Sequence, residues 1–186
     1  DFSFDGTNIM DSLRLQKGLW NNNNNDIDWH LEPLIEMSWD RTFDGNPHAT
    51  GPIVAFSPDG NTGWIGLCGN ITSGTNTNTE TYLPIFIKST DGGATWGSPI
   101  EVDLDAISWI ADTLKTLWVD STGNPASSGL ATTGFDYDLS VDMFGNPHIG
   151  VIIGTSAGGY SISSSLAKFL ADVYSTDGGA TWKVTY

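Results

Sequence analysis

The sequence predicts an all-β fold built from four-stranded antiparallel units that recur along the chain. Three observations carry this reading. The octapeptide Ser-Thr-Asp-Gly-Gly-Ala-Thr-Trp occurs at 89–96 and again at 175–182, 86 residues later. A second kind of turn, containing Gly60-Asn61 and Gly145-Asn146, recurs at a spacing of 85 residues. Between these turns lie short apolar runs bounded by Gly, Asp, Asn and Ser, which is the pattern of strands joined by hairpins. A long fixed period is weighed before any local reading, because it sets the whole fold.

Each period holds a first hairpin, a polar connector and a second hairpin that carries the octapeptide. Four antiparallel strands in this arrangement make one blade of a β-propeller. The first complete blade spans 52–103, with strands expected at 52–57, 63–69, 83–89 and 97–103. The second spans 137–186, with strands at 137–142, 147–155, 168–175 and 181–186. Stepping back one period from Ser89 reaches Ser3-Phe4-Asp5-Gly6, a degenerate third copy, so 1–15 reads as the end of a preceding blade. The stretches 16–51 and 104–136 are then insertions between blades. Within the second, Val119-Asp120-Ser121-Thr122-Gly123-Asn124-Pro125 echoes Val141–Pro147 and suggests a further hairpin. Ile107, Ile110, Ala111, Leu114 and Leu117 stand at helical spacing and predict a short helix over 107–117 packed on a blade. A propeller closes with about four to eight blades. The 186 residues are therefore expected to be a segment of a larger ring, whose bare blade faces need remaining blades of the same protein or a partner chain.

In the octapeptide, Asp-Gly-Gly supplies the turn, because glycine tolerates positive φ and the Ser, Asp and Thr side chains bond nearby backbone N–H groups. The Trp then leaves the turn on a defined course and can bury its ring. The pattern Ser-x-Asp-x-Gly-x-Thr-Trp resembles the Asp box, the bacterial neuraminidase (BNR) repeat of sialidases, sortilin-type receptors, some xyloglucanases and a photosystem assembly factor. Both copies match at every defined position: Ser89, Asp91, Gly93, Thr95 and Trp96, then Ser175, Asp177, Gly179, Thr181 and Trp182. The resemblance implies a structural role for these residues, in the turn between the third and fourth strands on the face away from the ligand.

The tight turns then all fall on one face, and the long segments 16–51, 70–82, 104–136 and 156–167 fall on the other. Short turns belong to the scaffold and long loops carry recognition. The candidate ligand-binding residues are accordingly Trp20, Trp29, Trp39, Trp109, Trp118, Asp136, Tyr137 and Asp138. Exposed Trp and Tyr suit stacking on sugar rings or anchoring a protein; burial beneath the loops is the competing reading for each ring. Asp136 and Asp138, at alternate positions entering a strand, are expected to share one side. Asn21–Asn25 reads as a polar loop tip without hydrophobic pattern.

Twenty-two acidic residues against seven basic ones leave a net charge of −15. That balance argues against nucleic acid and anionic membranes as partners, since both demand clustered Lys and Arg. It fits an extracellular surface and leaves Ca2+ open as a candidate ligand, solvation of the surface being the simpler account; no other cofactor is implied. Cys68, the single cysteine, lies inside an apolar run and reads as a small buried hydrophobe. No apolar run is long enough to span a bilayer.

Sialidases hold a substrate carboxylate with three arginines and use a Tyr-Glu nucleophile pair with an Asp acid/base; guanidinium forks suit that carboxylate because they bond it in bidentate fashion. Only Arg14 and Arg41 are present here. No carboxylate spacing singles out a glycosidase pair, and His30, His48 and His148 lack zinc-ligand spacing. The run from Leu139 to Trp182 is similar to repeat-bearing extracellular proteins of Bacteroidota, which implies export, although no C-terminal sorting domain is visible. The expected function is a non-catalytic, secreted or cell-surface bacterial propeller that binds a protein or polysaccharide through its long-loop face. The alternatives are a sialidase-like or xyloglucanase-like glycoside hydrolase with its catalytic residues elsewhere, and an assembly factor in a larger complex.

Overall fold

The computed structural model describes residues 12–72, 80–117, 122, 130–163 and 168–186, and the chain divides into two units, 1–38 and 39–186. The degenerate octapeptide at 3–6, Trp118 and most of the 119–125 echo lie outside the described residues.

In the first unit, β1 (Ser12–Leu13) pairs with β4 (Ile35–Glu36), and β2 (Gln16–Asn21) forms an antiparallel hairpin with β3 (Asp26–Leu31). The asparagine run closes this hairpin and is tied at both ends. Asn21 Oδ1 accepts from Asn23 N at 2.9 Å, Asn21 Nδ2 donates to Asp28 at 2.7 Å, and Asn25 takes a positive φ of 52°. Asparagine tolerates that conformation because its short side chain can bond the local backbone. The segment expected to be a patternless loop tip is a hairpin turn.

The second unit is built on two antiparallel sheets. The first runs β5 (Ile53–Phe56), β6 (Gly63–Gly69), β7 (Leu83–Ser89), β8 (Ile100–Glu101), in sequence order. Helix α1 (Ser108–Leu117) follows, where the apolar spacing predicted it, and buries Ile110 and Leu114. The second sheet contains β9 (Ala131–Val141), β10 (Pro147–Gly158), β12 (Phe169–Tyr174) and β13 (Lys183–Thr185), with the short β11 (Ser161–Ile162) paired beside the end of β10. The strands thus fall close to their predicted positions and the chain is all-β with antiparallel sheets. Two extents differ. β8 is reduced to two residues, and β9 starts at Ala131 because a bulge sets residues 134–136 against Ile152 alone, allowing pairing to resume at Thr133–Ile153.

The two sheets pack face to face. Trp64, Cys68, Phe86 and Leu83 of the first meet Leu139, Ile149, Val151 and Val173 of the second in one core cluster, to which α1 adds Ile110 and Leu114. A hydrogen bond crosses the packing: Trp64 Nε1 donates to Gly145 O at 2.9 Å, so the buried indole N–H is satisfied by the turn of the other sheet.

The octapeptide turns are near duplicates. In the first, Ser89 Oγ accepts from Gly93 N (2.9 Å) and donates to Asp91 Oδ1 (2.8 Å), while Asp91 accepts from Thr95 N (2.9 Å) and Thr95 Oγ1 (2.6 Å). Ser175, Asp177, Gly179 and Thr181 repeat this set at 2.8, 2.8, 2.8 and 2.6 Å. The paired glycines take φ of 68° and 82° at Gly92 and Gly93, and 72° and 97° at Gly178 and Gly179, where a Cβ is disfavoured. The Thr hydroxyl first, then the Thr N–H and the Ser hydroxyl, lower the Asp91 carboxyl to about 2 and lower Asp177 as well.

Candidate functional site at the loop end of the sheets

The tight turns gather at one end of the second unit: Gly92 N bonds Asn61 O at 2.9 Å, Gly178 N bonds Asn146 Oδ1 at 3.3 Å, and Lys88 Nζ bonds Gly178 O at 3.0 Å. Ser89, Asp91, Ser175 and Asp177 there serve the turns, and the longer connections lie at the opposite end. At that opposite end the segments leaving β6 and β10 and approaching β5 and β7 meet. Ala49 bridges Gly69, Tyr160 N donates to Glu80 O at 3.0 Å, and Thr133 N donates to Tyr82 O at 2.9 Å.

These backbone bonds assemble a ring cluster. His48 stacks on Tyr160 with centroids 3.9 Å apart and planes 8° from parallel. Phe43 meets Tyr160 edge-on at 5.9 Å, and Tyr82 meets Tyr160 at 5.4 Å and Phe135 at 5.1 Å, both near perpendicular. Edge-to-face contacts are the favoured geometry for such rings. Phe43 and Phe135 flank the cluster and are 48% and 57% exposed, whereas Tyr160 is buried.

Two non-glycine residues of the cluster hold left-handed backbone, Glu80 at φ 52° and Tyr160 at φ 57°. Such conformations cost about 1–3 kcal/mol and persist where surrounding contacts impose them. Here the Glu80 carboxylate accepts from Gly159 N at 2.6 Å while its carbonyl accepts from Tyr160 N, so each strained residue clamps the other. The Tyr160 hydroxyl has no hydrogen-bond partner among the described residues although it is buried. Burial first, then the charges of Asp40 and Glu80, push its phenol up to about 12. Tyr160 is therefore a neutral donor at pH 7, the reverse of an activated phenolate. Asp44 is held below the ordinary carboxylate value, chiefly by the Asn46 N–H, and bonds His48 Nε2 at 3.0 Å.

The site thus offers two exposed rings and the carboxylates of Asp44 and Glu80. Rings bind the C–H faces of a sugar, carboxylates accept from its hydroxyls, and the negative charge disfavours an anionic ligand. Among the described residues, no group of three or more His, Cys, Asp or Glu is placed to hold a metal ion.

The residues singled out from sequence are dispersed. Trp20 and Trp29 stand exposed on the β2–β3 hairpin of the first unit. Trp39 is buried and bridges Ile71. Trp109, on α1, is half-buried against Phe169 (5.6 Å) and Tyr186 (5.4 Å). Tyr137 is a structural tie: its hydroxyl bonds Gly51 O and Thr50 Oγ1, and burial pushes it up to about 12. Asp136 lies in the β9 bulge. Asp138 faces the open flank of the second sheet, in a cleft of about 300 Å³ with Ser140, His148, Gly150 and Asp172. Phe43, Tyr82 and Tyr160 went unrecognised. The one available signal was Gly158-Gly159-Tyr160, a paired-glycine turn that delivers an aromatic, as the octapeptides do.

No family model and no curated protein matches the chain. Among solved structures it is similar to the Hadza microbial sialidase Hz136, with 17% identity and a TM-score of 0.44, over 83% of this chain and 28% of that one. The chain spans under a third of that protein's length.

Proposed function

We propose that the chain is part of an Asp-box β-propeller, secreted or displayed on a bacterial surface, that binds a neutral polysaccharide without cleaving it. The two duplicated antiparallel sheets, packed face to face with their octapeptide turns at one end, support the propeller reading. The observation that carries the binding role is the ring cluster at the other end, where Phe43 and Phe135 project into solvent beside Asp44 and Glu80. Tyr160 and Glu80 lie together as a glycosidase of the sialidase type would need, but the phenol is pushed up and not down. With Arg41 the only arginine in 39–186, a carboxylate-binding triad cannot be drawn from this unit.

The test is calorimetric titration with neutral β-glucan, xylan and mannan oligosaccharides alongside sialyllactose. One neutral series is expected to bind, with affinity reduced about tenfold or more in Phe135→Ala and in Phe43→Ala, as the loss of a stacking ring of about 1–3 kcal/mol requires. Preference for sialyllactose, or release of reducing ends from any bound glycan, would overturn the proposal.

A further inference from the structure

The strand registers superpose the two sheets of the second unit residue by residue. In the first sheet Gly66 lies between Ile53 and Phe86, and Trp64 lies between Ala55 and Lys88. In the second, Gly150 lies between Asp138 and Asp172, and His148 lies between Ser140 and Tyr174. Gly66 and Gly150 hold the same place, yet their surroundings differ in kind. Ile53, Ala55, Trp64 and Phe86 become Asp138, Ser140, His148 and Asp172.

Around Gly66 the face is covered. Leu139 of the second sheet is lowered onto the glycine, so close that a Cβ there would meet its Cδ1 at 3.2 Å. Around Gly150 the face is open: among the described residues nothing lies within 4 Å of a Cβ built there, and the cleft of about 300 Å³ sits over it. Asp172 Oδ2 bonds His148 Nδ1 at 2.8 Å, whereas its Oδ1 is buried with no hydrogen-bond partner among the described residues. Asp142 Oδ2 stands 4.0 Å from His148 Nε2, and the His148 ring stacks on Tyr174 at 5.2 Å. Asp172 and Asp142 therefore face one imidazole, and Asp138 adds a third carboxylate to the same flank. Next along the same face, Ile152 and Leu170 are paired and are 38% and 70% exposed.

We infer that this flank docks a polypeptide segment that lowers an arginine onto Gly150, as Leu139 is lowered onto Gly66, and lays an apolar neighbour over Ile152 and Leu170. Charge complementarity selects the cation, because four apolar positions have become acceptors or a base. A guanidinium suits the cleft better than an ammonium: its flat fork can reach Asp172 and Asp138, which flank Gly150 on strands β12 and β9, and can lie over a backbone without a Cβ. The apolar continuation calls for a peptide and not a free cation.

The probe is N-acetyl-L-argininamide, titrated into the full chain while the His148 ring C–H resonance is followed. Saturable movement of that resonance is expected, smaller with N-acetyl-L-lysinamide and absent with N-acetylglycinamide. Asp172→Asn should weaken the response about tenfold, as loss of one charge-assisted bond requires. Gly150→Leu, which fills the cleft without altering charge, should abolish it. The Trp64 indole N–H resonance reports that each variant keeps its packed sheets. No saturable movement, an equal response to glycinamide, or a response retained in both folded variants would overturn the inference.

Discussion

The Trp182 indole stacks on Phe86 with ring centroids 4.3 Å apart and planes 20° from parallel, and meets Trp64 edge-on at 6.4 Å. A residue leaving the octapeptide turn of one sheet thus joins the core of the other. Among the described residues, the equivalent Trp96 makes an edge ring contact with Phe56 of its own sheet, at 6.2 Å. Trp182→Ala is expected to lower stability by about 3 kcal/mol, as deleting a large ring from a packed core does. Trp96→Ala should cost clearly less. Urea midpoints of the two variants, with unchanged m-values, check the difference.

The paired glycines make a second comparison. Gly66→Ala drives a Cβ against Leu139 and should destabilise by about 1 kcal/mol, because the packed neighbour must shift. Gly150→Ala meets open space and should be neutral or slightly stabilising, since alanine loses less backbone entropy than glycine. A reversed order in thermal unfolding would contradict the match between the two faces.

Acid should loosen the octapeptide turns. The Asp91 carboxyl is lowered from 3.8 to about 2 by the Thr95 hydroxyl and N–H and by Ser89. A depressed carboxyl favours the folded state above the ordinary value, and that contribution is lost as pH falls from about 4 through about 2. Carbon-detected titration of the Asp91 carboxyl should find this low midpoint, and Thr95→Val should move it back toward 3.8. A midpoint that does not respond to the valine would remove the Thr95 hydroxyl as the main cause.

Removing the Tyr160 hydroxyl separates binding from folding. The group is buried without a partner among the described residues, so Tyr160→Phe should stabilise the chain by about 1 kcal/mol and leave saccharide binding at the exposed Phe43 and Phe135 rings unchanged. If the variant binds less tightly than the parent, the hydroxyl takes part in recognition.

Burial pushes the Cys68 thiol up to about 12, and the side chain is fully buried. It should resist thiol reagents at pH 8 and react only as the sheets separate, because the thiolate is the attacking species. Modification rates rising with urea in step with loss of fluorescence would check this; fast labelling in buffer would not fit a buried thiol.

Local chemistry is what can be read along the chain. Ser89, Asp91 and Thr95 bond within seven residues, so their turn is legible as letters, and so are the alternating strands on either side. The same holds for α1, whose apolar spacing is itself the periodicity of a helix. The asparagine turn between β2 and β3 was less legible, because a run of identical polar residues carries no phase from which to read pairing.

The candidate site lay beyond such reading. His48, Glu80, Phe135 and Tyr160 come from four separate segments, and of these only Tyr160, after Gly158-Gly159, stands in a local pattern that marks it. Trp39 and Tyr137, conspicuous as letters, became structural because neighbouring backbone covered or bonded them. The fate of a ring depends on what folds over it, and composition does not carry that information.

The sequence by itself determined the duplicated turns, the strand positions and the all-β class, because each rests on bonds and periodicities only a few residues long. Tertiary structure alone decided that Leu139 fills the space over Gly66 while Gly150 stays open, and that Tyr160 is buried between His48 and Tyr82. Those outcomes follow from close packing between segments distant in the chain, where a gap or a clash of an ångström settles which surface is core and which remains free to bind.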